Sequence, residues 1–130
     1  MNRHFFSDDE LVEANKNGRC HEVELFRTYL KNNLAKSKSG KNNHLQMFLD
    51  IHAHSSETSI FTYAPQSQDE RSEVARKFTR ILDEMSDYFS RDKCKFNNDK
   101  FKWNCARLGI FRDHNLSNSY TIESSCYGFE

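Results

Sequence analysis

Apolar positions divide the chain before any other feature does. Between residues 20 and 34, Val23, Phe26, Leu30 and Leu34 recur at steps of three and four, which aligns them on one helical face. A cleaner helical pattern follows Pro65. There Val74, Phe78, Ile81, Leu82, Met85 and Phe89 form one stripe, Ser67 and Glu70 make a capping box ahead of it, and Glu73 and Lys77 stand four apart on the outside. Between the two helices the period changes. The run 45–52 (LQMFLDIH) is short and nearly continuous in apolar residues, which suits a strand covered on both faces, as in a parallel sheet. Residues 59–64 (SIFTYA) read as a second strand stopped by Pro65. Residues 120–124 (YTIES) alternate, which predicts a strand with Tyr120 and Ile122 on one side and Thr121 and Glu123 on the other.

The remaining segments are less regular. KSKSGKNN (36–43) is polar and reads as an exposed connection. In residues 7–18, Ser7 and Glu10 form a capping pattern and Gly18 a possible stop, so a short helix or a tight loop both fit. Residues 92–104 interleave aromatics with polar residues and give no clean period. Strands alternating with helices point to an α/β architecture, and 130 residues allow one domain at most. Lysine plus arginine (19) balances aspartate plus glutamate (19), so bulk charge steers the chain towards neither nucleic acid nor an anionic membrane. No apolar run approaches the roughly 18 residues of a membrane span, and MNRHFFSDDE lacks a signal-peptide core, so a soluble intracellular chain is the expectation. Four scattered cysteines without a CxxC pair read as reduced thiols.

Two residues invite chemistry. His52 closes the first strand, and Glu123 stands near the end of YTIES. In open α/β sheets ligands sit beyond the carboxyl ends of strands, where an imidazole can bind a metal and a carboxylate can take a proton from water. Taken singly, a histidine at a strand end is more often structural, and a glutamate on a polar strand face is usually only solvated.

The strings around them change the weighing. FLDIHAHSSETSIFTYAP resembles the segment of the cytosolic zinc carboxypeptidases in which a strand ends in Asp-x-His-x-His-Ser, a short turn follows and a second strand runs to a tyrosine. CARLGIFRDHNLSNSYTIESS resembles the stretch through Ala-Arg and Tyr-Thr-x-Glu-Ser, and Asn2-Arg3 followed by His4-Phe5 is similar to the family's Asn-Arg-x-aromatic motif. The motifs stand in the family's order along nearly the whole chain. The resemblance implies part of the carboxypeptidase fold, a partial mixed β-sheet flanked by helices, spanning residues 1–130 and truncated at both ends. It implies a Zn2+ cofactor with His52 as one ligand, Glu123 as general base and acid, and Asn2 and Arg3 gripping the substrate's terminal carboxylate, a task that suits a guanidinium fork. Arg107, sixteen residues before Glu123, matches a basic position facing the terminal side chain, with Arg112 and Arg71 as rivals. The implied substrates are acidic protein or peptide C-terminal tails, such as tubulin's, and the implied compartment is cytoplasmic, with no nucleic-acid or membrane partner.

The departures carry equal weight. The family's His-x-x-Glu zinc pair belongs ahead of Asn2-Arg3 and is absent there, as is an arginine that polarises the scissile carbonyl. His21-Glu22-Val23-Glu24 spells the motif in the wrong place and reads as a helix start with acids near the positive dipole end. With one ligand where a catalytic zinc uses three plus water, this chain alone should hold zinc poorly and be inactive. Exposed sheet edges and aggregation are expected. The alternative function is a non-catalytic module that binds acidic tails through Asn2, Arg3 and Arg107.

Overall fold

A computed structural model describes residues 21–35, 45–66, 71–98, 102 and 104–129. The elements in chain order are helix α1 (His21–Ala35), strands β1 (Phe48–His54) and β2 (Phe61–Ala64), helix α2 (Arg71–Met85), a 3-10 turn (Arg91–Lys93), strand β3 (Lys95–Phe96), helix α3 (Ala106–His114) and strand β4 (Ser119–Ser125). The strands form one mixed sheet in the order β1-β4-β2-β3. β1 and β4 are parallel, β4 and β2 antiparallel, and β2 and β3 parallel. The α/β architecture read from the sequence is the one found. The possible helix over residues 7–18, the capping box of Ser67 and Glu70, and Asn2 and Arg3 all lie outside the described residues.

Helices cover both faces of the sheet. On one face α1 and α3 pack together through Val23, Leu30, Ala106 and Ile110, with Phe26, Leu45, Phe48 and Leu116 against them. This is the α1 stripe expected from the spacing of Val23, Phe26 and Leu30. Arg27 Nη2 meets Asp113 Oδ2 at 2.8 Å, with both side chains largely enclosed, and so ties α1 to α3. His21 and Glu24 lie exposed at the start of α1, where acidic residues suit the helix dipole. On the other face α2 packs Ala75 and Phe78 against Ala64, Tyr120, Ile122 and Phe96.

Four expectations need correction. The stripe on α2 is rotated from the one predicted: Ala75 and Thr79 are buried, whereas Val74, Ile81 and Met85 are exposed. Small residues fit the close approach to Tyr120, whose hydroxyl donates to the Ala75 carbonyl at 3.3 Å. Phe89 is buried beyond the helix, where its backbone bridges Ile60. β1 is not covered on both faces. Its burial alternates, with Leu49 and Ile51 exposed and Phe48, Asp50, His52 and His54 half-buried, because α2 lies over β4 and β2. Finally, residues 106–114, for which no element was predicted, form α3, which ends at Asn115 in the left-handed conformation (φ 52°) that asparagine tolerates. The described cysteines, Cys94, Cys105 and Cys126, are free.

Candidate active site

Register assembles the site. Parallel pairing sets His52 directly opposite Glu123, Asp50 opposite Thr121 and His54 opposite Ser125. Opposed residues of a ladder project to the same face, and alternate residues along each strand share it. β2 adds Phe61 opposite Glu123 and Tyr63 opposite Thr121 on that same face. A histidine and a glutamate separated by 71 positions in sequence (123 − 52) are thus neighbours at the carboxyl ends of two parallel strands. α1 and α3 pack over Phe48 at the start of β1, and beyond it this face carries Asp50, His52, Thr121 and Glu123 beside the rings of Phe61 and Tyr63.

Each side chain is held from its own neighbourhood. Asp50 lies two residues before His52, and its Oδ1 accepts a hydrogen bond from His52 Nε2 at 2.7 Å. That bond sets the imidazole orientation and leaves the Nδ1 lone pair of the neutral ring for another partner. The second Asp50 oxygen is buried without a hydrogen bond among the described residues. His54 is engaged differently. Its Nε2 donates to the Ser59 carbonyl at 3.2 Å, its ring lies 4.9 Å from Phe61, and the Cys126 amide donates to its own carbonyl at 2.8 Å. These bonds close the loop after β1. The same loop is clamped by Lys93, whose Nζ meets Glu57 Oε2 at 2.6 Å and Ser59 Oγ at 3.0 Å. That hydrogen bond and the lysine charge hold the Glu57 carboxyl below its usual range.

Arg107, on the first turn of α3, lies beneath the polar face at 3% exposure. Its Nη1 donates to Thr121 Oγ1 at 3.5 Å, and its guanidinium carbon lies 5.4 Å from the centre of the Tyr63 ring. No carboxylate pairs with it among the described residues, and its Nε is buried without a partner. Burial raises the Tyr63 phenol above its ordinary value, the Glu123 charge raises it further, and Arg107 pulls the other way. Tyr63 therefore senses Glu123 and Arg107 together.

The structure brings together three of the residues singled out from sequence: His52, Glu123 and Arg107. Of the rival arginines, Arg112 Nε bonds Asp113 Oδ1 at 3.0 Å, and the Arg71 side chain is outside the described residues. Asp50, Tyr63 and Thr121 were not assigned roles from sequence. Asp50 stood inside the quoted Asp-x-His motif, and its two-residue spacing from His52 was the available signal. The proximity of Tyr63 and Thr121 to Arg107 follows from strand pairing and has no local signature.

In the solved structures, the metallo-carboxypeptidase of Burkholderia cenocepacia superimposes on 95% of this chain and 28% of its own, with a TM-score of 0.65 and 19% sequence identity. This gives the class of fold. Human cytosolic carboxypeptidase 6 is 35% identical over 88 residues, which cover 65% of this chain and 17% of that protein. Human cytosolic carboxypeptidase 4 is 28% identical over 96 residues, covering 63% and 9%. No family model matches the chain. In fold the chain is thus similar to the metallo-carboxypeptidases and in sequence to the cytosolic carboxypeptidases, and it spans only a small part of the length of the curated relatives it matches.

Such relatives imply a metal ion, and the donor set tests whether these residues could hold one. His52 offers one imidazole, already bonded on one nitrogen by Asp50. Among the described residues no three histidine, cysteine, aspartate or glutamate side chains converge to hold an ion. A catalytic zinc with three protein ligands plus water does not fit the described residues alone. Among those residues, no helix is long and apolar enough to cross a membrane.

Proposed function

We infer that the chain is part of a zinc metallocarboxypeptidase catalytic domain that removes acidic residues from protein C-terminal tails such as tubulin's, and that this polypeptide alone is inactive because it supplies one of three zinc ligands. The observation that carries the reading is the placement of His52 opposite Glu123 on one face at the carboxyl ends of β1 and β4. In this reading His52 is that one ligand, oriented by Asp50. Glu123 takes a proton from the attacking water and returns it to the departing amine. Asn2 and Arg3 hold the terminal carboxylate.

Acid preference rests on Arg107. A buried guanidinium without a carboxylate partner among the described residues is unfavourable, and its positive charge lies beside Thr121 and Tyr63 under the polar face. A negative side chain about 5 Å away gains roughly 3 kcal/mol at an effective dielectric near 20. That is enough to select acidic over neutral ends.

The experiment joins this chain to a preceding segment that carries a His-x-x-Glu pair and follows release of glutamate from a peptide ending in glutamates. Release should require zinc, disappear in Glu123→Gln and His52→Ala, and shift towards neutral ends in Arg107→Met. Glutamate release that persists in Glu123→Gln would remove the assigned base. Glu123-dependent release by the 130-residue chain with zinc alone would overturn the proposed inactivity.

A further inference from the structure

The outer side of α2 faces away from the candidate site, because α2 packs on the opposite sheet face through Ala75 and Phe78. Between this outer side and the 3-10 turn lies a cleft of about 270 Å³ lined by Glu73, Val74, Arg76, Lys77, Arg80 and Arg91. Four cations thus line the cleft with one carboxylate, in a chain whose charges balance overall. Two further carboxylates lie at the rim, Glu84 beside Arg80 and Asp83, whose Oδ1 accepts from the Arg91 backbone amide at 3.2 Å. Arg80 Nε stands 3.8 Å from Glu84 Oε1 with both side chains more than half exposed, Arg76 lies over the Phe96 ring at 4.5 Å, and Lys77 and Arg91 side chains make no ion pair among the described residues. Val74, 49% exposed, gives the cleft an apolar patch beside the charges.

We propose that this cleft is a second docking site for protein substrates, occupied by an acidic, glutamate-rich polypeptide segment away from the end that is cleaved. The choice of occupant rests on charge complementarity and on the functional reading above, which makes acidic protein tails the substrate. An extended glutamate-rich segment presents carboxylates on flexible stems, which can meet several of these side chains at once, while the methylenes of a glutamate lie against Val74. Cations clustered within a Debye length of about 8 to 10 Å reinforce one another and make the interaction salt-dependent. Docking there raises the local concentration of the substrate at the distant site without new chemistry.

The test uses the 130-residue chain and a fluorescein-labelled oligoglutamate whose C-terminus is amidated, so that a terminal-carboxylate grip cannot contribute. Anisotropy should show saturable binding that weakens as salt is raised. The double variant Lys77→Glu/Arg80→Glu, and separately Lys77→Gln/Arg80→Gln, should weaken it, the charge reversal by about tenfold. Binding of the amidated peptide that is indifferent to both double variants would overturn the proposal. So would tighter binding of an oligothymidylate of equal charge that is lost in the same variants, which would assign the cleft to nucleic acid. Because binding of the amidated probe involves no cleavage and so does not depend on Glu123, failure of the peptidase reading would show in the glutamate-release assay, independently of this result.

Discussion

The two faces of the sheet are built on opposite principles. On the α2 face, Tyr120 is fully buried, its ring 4.6 Å from Phe78, in a cluster with Ala64 and Ala75. On the α3 face the same strand presents Thr121 and Glu123 beside His52 and above the buried charge of Arg107. One face is closed by apolar packing, whereas the other combines an apolar cluster under α1 and α3 with polar groups that converge at the carboxyl ends of β1 and β4. The same strand serves both because its side chains alternate.

The largest effect should come from the apolar side. Tyr120→Ala empties a fully buried ring position and should destabilise the chain by about 3 to 5 kcal/mol, read as a lower urea midpoint. Thr121→Val, one residue along on the other face, keeps the volume and removes only a long hydrogen bond from Arg107; its shift should stay within about 1 kcal/mol. Equal losses at the two positions would erase the distinction between the faces.

Arg107→Met sharpens it next. Replacing an enclosed charge that has no carboxylate partner among the described residues by an apolar side chain of similar length should leave stability unchanged or raise it by about 1 kcal/mol or more. The Tyr63 phenol reports the same change spectroscopically. Arg107 lowers its titration point and Glu123 raises it, so Arg107→Met should move phenol ionisation to higher pH and Glu123→Gln to lower pH. Movement in the reverse directions would place Arg107 and Glu123 elsewhere.

How far these features could be read in the letters depended on whether contrast was local. In β4 an apolar residue alternates with a polar one, so the sequence by itself puts Tyr120 and Glu123 on opposite faces. α3 was missed because its buried residues include Arg107 and Gly109, which blur the apolar stripe. The buried side of α2 is hidden in the sequence because Ala75 and Thr79 carry it, and a pattern weighted by large side chains selects Val74 and Ile81 instead. For the site, motif strings marked His52 and Glu123 separately. That they stand opposite each other depends on strand register, a long-range property that neither string contains.

A smaller effect tests the helical cover of the polar face. His114, in the last turn of α3, is held below its ordinary imidazole value, chiefly by burial, with Asp113 opposing and Arg27 and Lys31 reinforcing the shift. A histidine that resists protonation when folded is protonated more readily when unfolded. Stability from this group is therefore complete above about pH 6.5 and declines as pH falls from there towards the lowered folded value. Urea midpoints measured across that window should fall with acid in the native chain and fall less steeply in His114→Gln. Identical slopes would mean that burial of His114 contributes nothing to the acid response.

The smallest change in stability, and the most informative about the uneven cover of the α2 face, is expected at Ile51. It sits opposite Ile122 in the ladder, on the same face as Tyr120, yet is 70% exposed because α2 does not extend over β1. β1 is also an edge of the sheet among the described residues, so a β-branched apolar side chain lies beside unpaired backbone groups, a combination that favours association between chains. Ile51→Thr keeps the branched shape and the strand preference while replacing the ethyl group on Cβ by a hydroxyl that water can solvate. Folding stability should change by no more than about 0.5 kcal/mol, because nothing packed is lost. Light scattering, in contrast, should fall relative to the native chain at equal concentration. Unchanged scattering together with a large loss of stability would mean that Ile51 is packed within the fold, and that the α2 face is continuous across β1.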